Sequence, residues 1–122
     1  MIWNQFMKTL FVLNDAPYGG ERTYNALRLA GVLGKESSNE VRVFLMGDAV
    51  TTAHNHQKVP EGFYNTEAML GKVISQAGKV SACHSCMEAR GMSDAELSEG
   101  SARGSLAQLA EWTEWADKVL VF

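Results

Sequence analysis

The sequence predicts an α/β protein on a mostly parallel sheet of four or five strands, with residues 1–122 as a single domain. Three observations carry that reading. Short apolar runs of strand formers recur at "KTLFVLND", "VRVFLM" and "KVSAC", and they read as strands covered on both faces. Segments with helical spacing lie between them. Glycine, proline and Asn/Asp clusters punctuate the joins. Strand, helix and adjacent strand in that order is the signature of a parallel sheet covered by helices.

The first strand spans Lys8 to Asp15 and stops at Asn14-Asp15 before "APYGG". Tyr24, Leu27, Ala30 and Leu33 then fall at helical spacing, with Gly34 as the stop. "KESSNE" is a turn, and Val41 to Met46 is the second strand, closed by Gly47-Asp48. Residues 48–64 read mostly as a long loop, with a possible helical turn at Ala49-Val50. Loops of that length in compact domains are usually functional or mobile. Asn65 or Thr66 caps a helix to about Gln76 that carries Met69, Val73 and Ile74 inward, ended by Gly78.

Lys79 to Cys83 is the third strand, and a short helix is expected from Cys86 to Ala89, broken by Gly91. Ser93 with Glu96 forms a capping box for another short helix. "LSEGSARGS" has room for a small extra strand. The last helix, Ser105 to Ala116, is expected to bury Leu106, Leu109, Ala110 and Thr113 before "DKVLVF" forms the final strand. Trp112 and Trp115 then stand off that face. They suggest contact with another subunit, or cover for an N-terminus holding Trp3 and Phe6.

Eleven basic and fourteen acidic residues give a net charge of −3, which disfavours nucleic acid or an anionic membrane as partner. No stretch approaches the roughly 20 apolar residues of a membrane span. "MIWNQFMKTL" lacks the charged-then-apolar build of a signal peptide, so a cytoplasmic protein is expected. "GGERTYN" could cradle an anion ahead of a helix. It lacks the Gly-Lys-Ser/Thr of a P-loop and the spacing of a dinucleotide fingerprint, and no cofactor is expected.

Both cysteines sit in "KVSACHSCMEARGM" as Cys83 and Cys86. Ligands of parallel α/β sheets bind beyond the carboxyl ends of the strands, and Cys83 falls there, where the chain turns into a helix. Such a junction favours a thiolate, and His84 and Arg90 could add positive charge. Four readings fit the pair. They could be inert core, since cysteine is commonly buried. They could be half a zinc site completed by His54, His56 or His84, although no second Cys pair exists. They could form a thiol–disulfide couple. Or Cys83 could carry sulfane sulfur as a persulfide, with Cys86 resolving it or releasing sulfide.

Around the pair, Tyr18 could offer its hydroxyl to a persulfide, or "DAPYGG" could simply be turn chemistry. Asp48 reads as a cap for the segment that follows it, His54 and His56 as solvated loop histidines, and Arg90 as a tie for the turn after the cysteines rather than a substrate contact.

Five pieces in order, "LNDAPYGGERTYNALRLA", "VRVFLMGDAV", "GFYNTEAML", "ACHSCMEARGM" and "WADKVLVF", make the chain resemble the DsrE-like family along nearly its whole length. That family includes YchN-like proteins and TusD-type sulfur-relay subunits. The resemblance implies a three-layer α/β/α sandwich without flavin, assembled as trimers or hexamers, that exchanges sulfur with donor and acceptor proteins. Cys83 takes the position of the sulfur-relay acceptor cysteine before an Arg-Gly dipeptide, and Cys86 that of a second cysteine of the YchN-like branch. Many of that branch have Gly and Thr between the two, where this chain has His84 and Ser85. The expected site is therefore Cys83 and Cys86 as reacting thiols with Tyr18, His84 and Arg90 around the substrate, and no metal. A binding module without catalysis and a Cys83–Cys86 redox protein are the alternatives.

Overall fold

The computed structural model describes residues 7–122. Five strands, β1 (Met7–Leu13), β2 (Asn39–Leu45), β3 (Lys79–Cys83), β4 (Ser101–Gly104) and β5 (Lys118–Val121), form one sheet in the order β4-β3-β2-β1-β5. Every pairing is parallel. The small strand expected within "LSEGSARGS" is β4, at one edge. Helices α1 (Arg22–Gly34), α2 (Thr66–Ser75), α3 (His84–Ala89) and α4 (Leu106–Trp115) connect them, with 3-10 segments at Gly47–Ala53 and Asp94–Glu96.

The strand order dictates the layers. From β1 to β4 the chain steps one strand at a time toward the same edge. Right-handed crossovers then put every connecting helix of that march on one face, and α1 does pack against α2 there. To reach β5 the chain must return across three strands, so α4 lies alone on the other face. The pleat agrees: paired residues of parallel strands point the same way, and Val121, Val12, Phe44, Ser81 and Ala102 form one row across the sheet. Trp112 of α4 meets Phe44 of that row edge-on, with ring centroids 6.0 Å apart. The architecture is a three-layer α/β/α sandwich.

Burial follows the same logic. Leu10, Phe11 and Leu13 of β1 and Val43, Phe44 and Leu45 of β2 are completely buried, as a sheet covered on both faces requires. On α1 the inward face is Thr23, Ala26, Leu27, Ala30 and Gly31. On α2 it is Thr66, Leu70 and Val73, while Met69 and Ile74 are only partly covered.

Three expectations are corrected. The last helix does not bury Leu106, Ala110 and Thr113, which are exposed, Leu106 at 69%. It buries Trp112, with Leu109 packed beside it. The reason is Arg42, whose guanidinium stacks 5.3 Å from the Trp112 ring centroid and 3.8 Å from that of Trp115. Both tryptophans thus turn to the sheet and carry no argument for a second subunit; Trp3 and Phe6 lie outside the described residues. Second, residues 47–53 are a 3-10 helix that buries Ala49, Val50, Thr52 and Ala53, so only the later part of the 48–64 stretch is loop. Third, α3 begins at His84 rather than Cys86. The Ser93–Glu96 capping box forms as read, on a single 3-10 turn.

Trp112→Ala should cost about 3–5 kcal/mol, because it empties the one large contact on the α4 face. Gly71→Ala should add roughly 0.5–1 kcal/mol, since a methyl at this exposed mid-helix position meets nothing within 4 Å. Urea unfolding of the two variants beside wild type measures both.

Candidate functional site

Cys83 ends β3 and is itself the N-cap of α3. An N-cap side chain sits beside the free amides of the first helical turn, and here it carries sulfur, without a cap hydrogen bond. The backbone N–H groups of Ser85 and Cys86, and the Cys86 thiol, favour its thiolate. The Ser85 hydroxyl lies 3.4 Å from Cys83 Sγ. Burial, with only 6% of Cys83 exposed, pushes its pKa up. The donors of Ser85 and Cys86 together outweigh that effect and leave the pKa below the ordinary thiol value.

Cys86 is the opposite case. Burial raises its pKa first, and donation of its proton toward Cys83 raises it further. The Gly47 N–H and the Arg90 charge work against the rise without reversing it. Both cysteines are free thiols. The pair is therefore asymmetric: the pKa of Cys83 lies below the ordinary thiol value and that of Cys86 above it.

A pocket of about 360 Å³ opens over Cys83. Met46 after β2 forms one wall, the first turn of α3 forms the base, and Ser105 and Leu106 at the start of α4 form the other wall. His84 lines this pocket and an adjoining hollow that also holds Arg103 and Gln108. That hollow does not offer a free cation. Arg103 donates to Asp94 at 2.6 Å and to His84 Nδ1 at 2.9 Å, with Glu88 3.9 Å away.

The other expected residues are placed as follows. Arg90 donates from Nε and Nη2 to Asp48 Oδ1, at 3.1 and 3.0 Å, and from Nη1 to the Cys86 carbonyl at 3.0 Å. It ties α3 to the 47–53 helix, and Asp48 is its partner rather than a helix cap. Tyr18 is not in the thiol pocket of this chain. Its hydroxyl donates to Gln57 Oε1 at 2.6 Å and accepts from the Thr66 amide at 3.0 Å. Tyr18 lines a separate pocket of about 300 Å³ with Lys58, Val59, Pro60, Phe63 and Tyr64. His54 is no free loop histidine: Nδ1 contacts the Asn55 carbonyl and Nε2 lies 3.3 Å from Glu96 Oε2. His56 is exposed, with a left-handed φ of 59°. Among the described residues, no three His, Cys, Asp or Glu side chains gather as a metal site.

Ser85, Gly47 and the Ser105–Leu106 wall escaped the sequence reading. Ser85 had a signal, its place inside the Cys-x-x-Cys motif. Gly47 and Leu106 had none, because they reach the thiols only through the sheet.

A parallel α/β sandwich with a cysteine at the junction of a strand's carboxyl end and a helix defines the class: a three-layer α/β protein with a thiol pocket at the sheet edge. The DsrE/DsrF-like family model matches residues 7–122, and the chain belongs to that family. It is 46% identical to Protein YchN of Escherichia coli K12 over 116 residues, covering 94% of this chain and 98% of that protein. An uncharacterized protein of Methanopyrus kandleri is 35% identical over 91% of this chain and 90% of its own length. The crystal structure of the E. coli ychN protein superposes with a TM-score of 0.89 at 45% identity, over 95% of this chain and 99% of that one. A protein of unknown function from Methanobacterium thermoautotrophicum, at 15% identity and TM-score 0.68, shares the fold over 92% of this chain and 96% of its own.

Alkylation of the native protein with iodoacetamide, read by peptide mass spectrometry across neutral to alkaline pH, should separate the thiols. The Cys83 rate should rise at lower pH than that of a free thiol, and the Cys86 rate at higher pH, because only the thiolate reacts. Replacing Ser85 with Ala should move the Cys83 profile toward higher pH.

Proposed function

We propose that this protein is a cytoplasmic sulfur-relay carrier, acting as one DsrE-like domain in which Cys83 accepts sulfane sulfur as a persulfide. The observation that carries the reading is Cys83 at the strand-to-helix junction in an open pocket, with the Ser85 hydroxyl 3.4 Å from its sulfur. A relay thiol must be deprotonated to attack a sulfane donor, and it must remain reachable afterwards. The lowered pKa of Cys83 and the pocket it lines support both needs. Membership of a family associated with sulfur relay supports the same chemistry.

In the loading step the Cys83 thiolate attacks the sulfane atom of a polysulfide or of a donor protein's persulfide. A new S–S bond forms on Cys83, and the donor leaves as a thiolate or a shorter polysulfide. Transfer to an acceptor protein then needs that protein's thiol to enter the same pocket of about 360 Å³. His84 borders that entrance. Arg90 serves the site through α3 rather than by touching sulfur.

The carrier works as a homo-oligomer, a trimer or hexamer. Leu106 at the pocket wall and Val121 on β5 are 69% and 67% exposed, and both belong to the thinly covered α4 side. Apolar residues bared beside a site are normal where another copy completes the surface. Size-exclusion chromatography with light scattering should give an oligomer for wild type, and a smaller species for Leu106→Asp combined with Val121→Asp. A wild-type monomer at all concentrations would remove this part of the reading.

Intact mass after anaerobic incubation with polysulfide tests the carrier chemistry. Wild type should gain whole sulfur atoms that dithiothreitol removes, and Cys83→Ser should gain none. Equal gain by both would place the sulfur elsewhere and sink the assignment.

A further inference from the structure

We propose that Cys86 is a resolving thiol, which discharges sulfur-loaded Cys83 as hydrosulfide, and that Gly47, Asp48 and Arg90 position it for that step. The inference rests on the reading of Cys83 as the sulfane-sulfur acceptor. It adds a second activity to the same site: a persulfide with no acceptor is reduced rather than stored.

Three features of the geometry converge on Cys86. N-cap and third helical residue are the two positions of a first turn whose side chains meet, and Cys83 and Cys86 hold those positions and line one pocket. Gly47 opens the 3-10 helix at Gly47–Ala53, a different element, and its N–H acts to lower the Cys86 pKa. Gly47 has a left-handed φ of 54°, the region that favours glycine, and a Cβ there would lie 3.6 Å from the Asn14 carbonyl and 4.0 Å from Arg90 Nη2. Finally, Arg90 grips the Cys86 carbonyl and the Asp48 carboxylate together. That clamp fixes the first turn of α3 against the loop that carries Gly47. A half-buried cysteine serving only as filler needs neither the amide nor the clamp.

The step balances without an outside oxidant. Cys86 gives up its proton, and its sulfur attacks Cys83 Sγ. The Cys83–Cys86 S–S bond forms as the bond from Cys83 Sγ to the sulfane atom breaks. That atom leaves with the electron pair and the proton, as hydrosulfide. The two cysteines are oxidised by two electrons, and the sulfane sulfur is reduced by two. A small dithiol then reopens the disulfide for the next cycle.

The raised pKa of Cys86 makes resolution the slow alternative, so transfer to an acceptor competes with it. The charged groups on its side are Cys83 when ionised, Arg90 on α3 and Asp48 on the 47–53 helix. His84 and Glu88, each two residues away on α3, fall on its far side together with Arg103.

The test loads the protein anaerobically with polysulfide, desalts it, and follows released sulfide with monobromobimane alongside intact mass. Wild type should release about one sulfide per sulfur carried on Cys83 and finish two hydrogens lighter than the reduced protein. Cys86→Ser, with Cys86→Ala beside it, should lose this release and retain the added sulfur. Arg90→Gln should slow release about three- to tenfold near neutral pH and move its pH midpoint upward, as loss of a thiolate-favouring charge requires. Arg90→Lys should restore the midpoint in part. Release from Cys86→Ser at the wild-type rate, or a loaded wild type that never forms the disulfide, overturns the resolving role alone. Failure of wild type to load at all overturns the carrier reading with it.

Discussion

A parallel sheet cannot turn back on itself with a hairpin, and this chain has marched to the far edge by the end of β4. Its return to β5 must pass over three strands, and only α4 makes the crossing. Much of the molecule depends on that single passage. It sets Trp112 on Phe44 and brings Arg42 between two indoles. It delivers Ser105 and Leu106 to the carboxyl edge as a wall of the thiol pocket. A ten-residue helix also covers less of a sheet than α1 and α2 cover together, which is why Val119 and Val121 of the edge strand remain bare.

The chemistry of the site comes from a second constraint, at the point where β3 becomes α3. Cys83 belongs to both elements, so its sulfur is carried out of the sheet and placed over amides that no helical carbonyl can satisfy. Burial alone would keep such a thiol protonated. The donors of Ser85 and Cys86 reverse the sign for Cys83, while the pKa of Cys86 is raised. One strand-to-helix junction thus shifts two chemically identical side chains in opposite directions.

The irregular stretch after β2 supports this junction from the side. Its 3-10 helix supplies the Gly47 amide and the Asp48 carboxylate. The loop beyond it is stitched by Gln57, whose side-chain amide donates to the carbonyls of Thr52 and His54, each at 2.9 Å. Its Oε1 accepts from Tyr18 and from Thr66 Oγ1 at 2.7 Å. A single glutamine thereby gives a long connection the order that regular backbone pairing gives elsewhere. Tyr18, which the sequence suggested as a substrate contact, serves this loop and the first turn of α2 within the chain.

The sequence by itself determined the strands, the helices, the parallel class of the sheet and the place of Cys83 at a strand end. Each of these depends on neighbours within a few residues: apolar runs, helical spacing, and Gly or Asn/Asp stops. The capping boundary at Asn65 and the Ser93–Glu96 box were legible for the same reason. The inward face of α4 was not, because its helical spacing fits Leu106–Leu109–Thr113 as well as Leu109–Trp112. Arg42, some seventy positions earlier in the chain, decided between them by stacking. Only the tertiary structure joined Asp48 to Arg90, let the Gly47 amide act on Cys86 and separated Tyr18 from the thiols. Those relations run between strand ends that are distant in sequence, and sheet order, which no local pattern encodes, makes them neighbours.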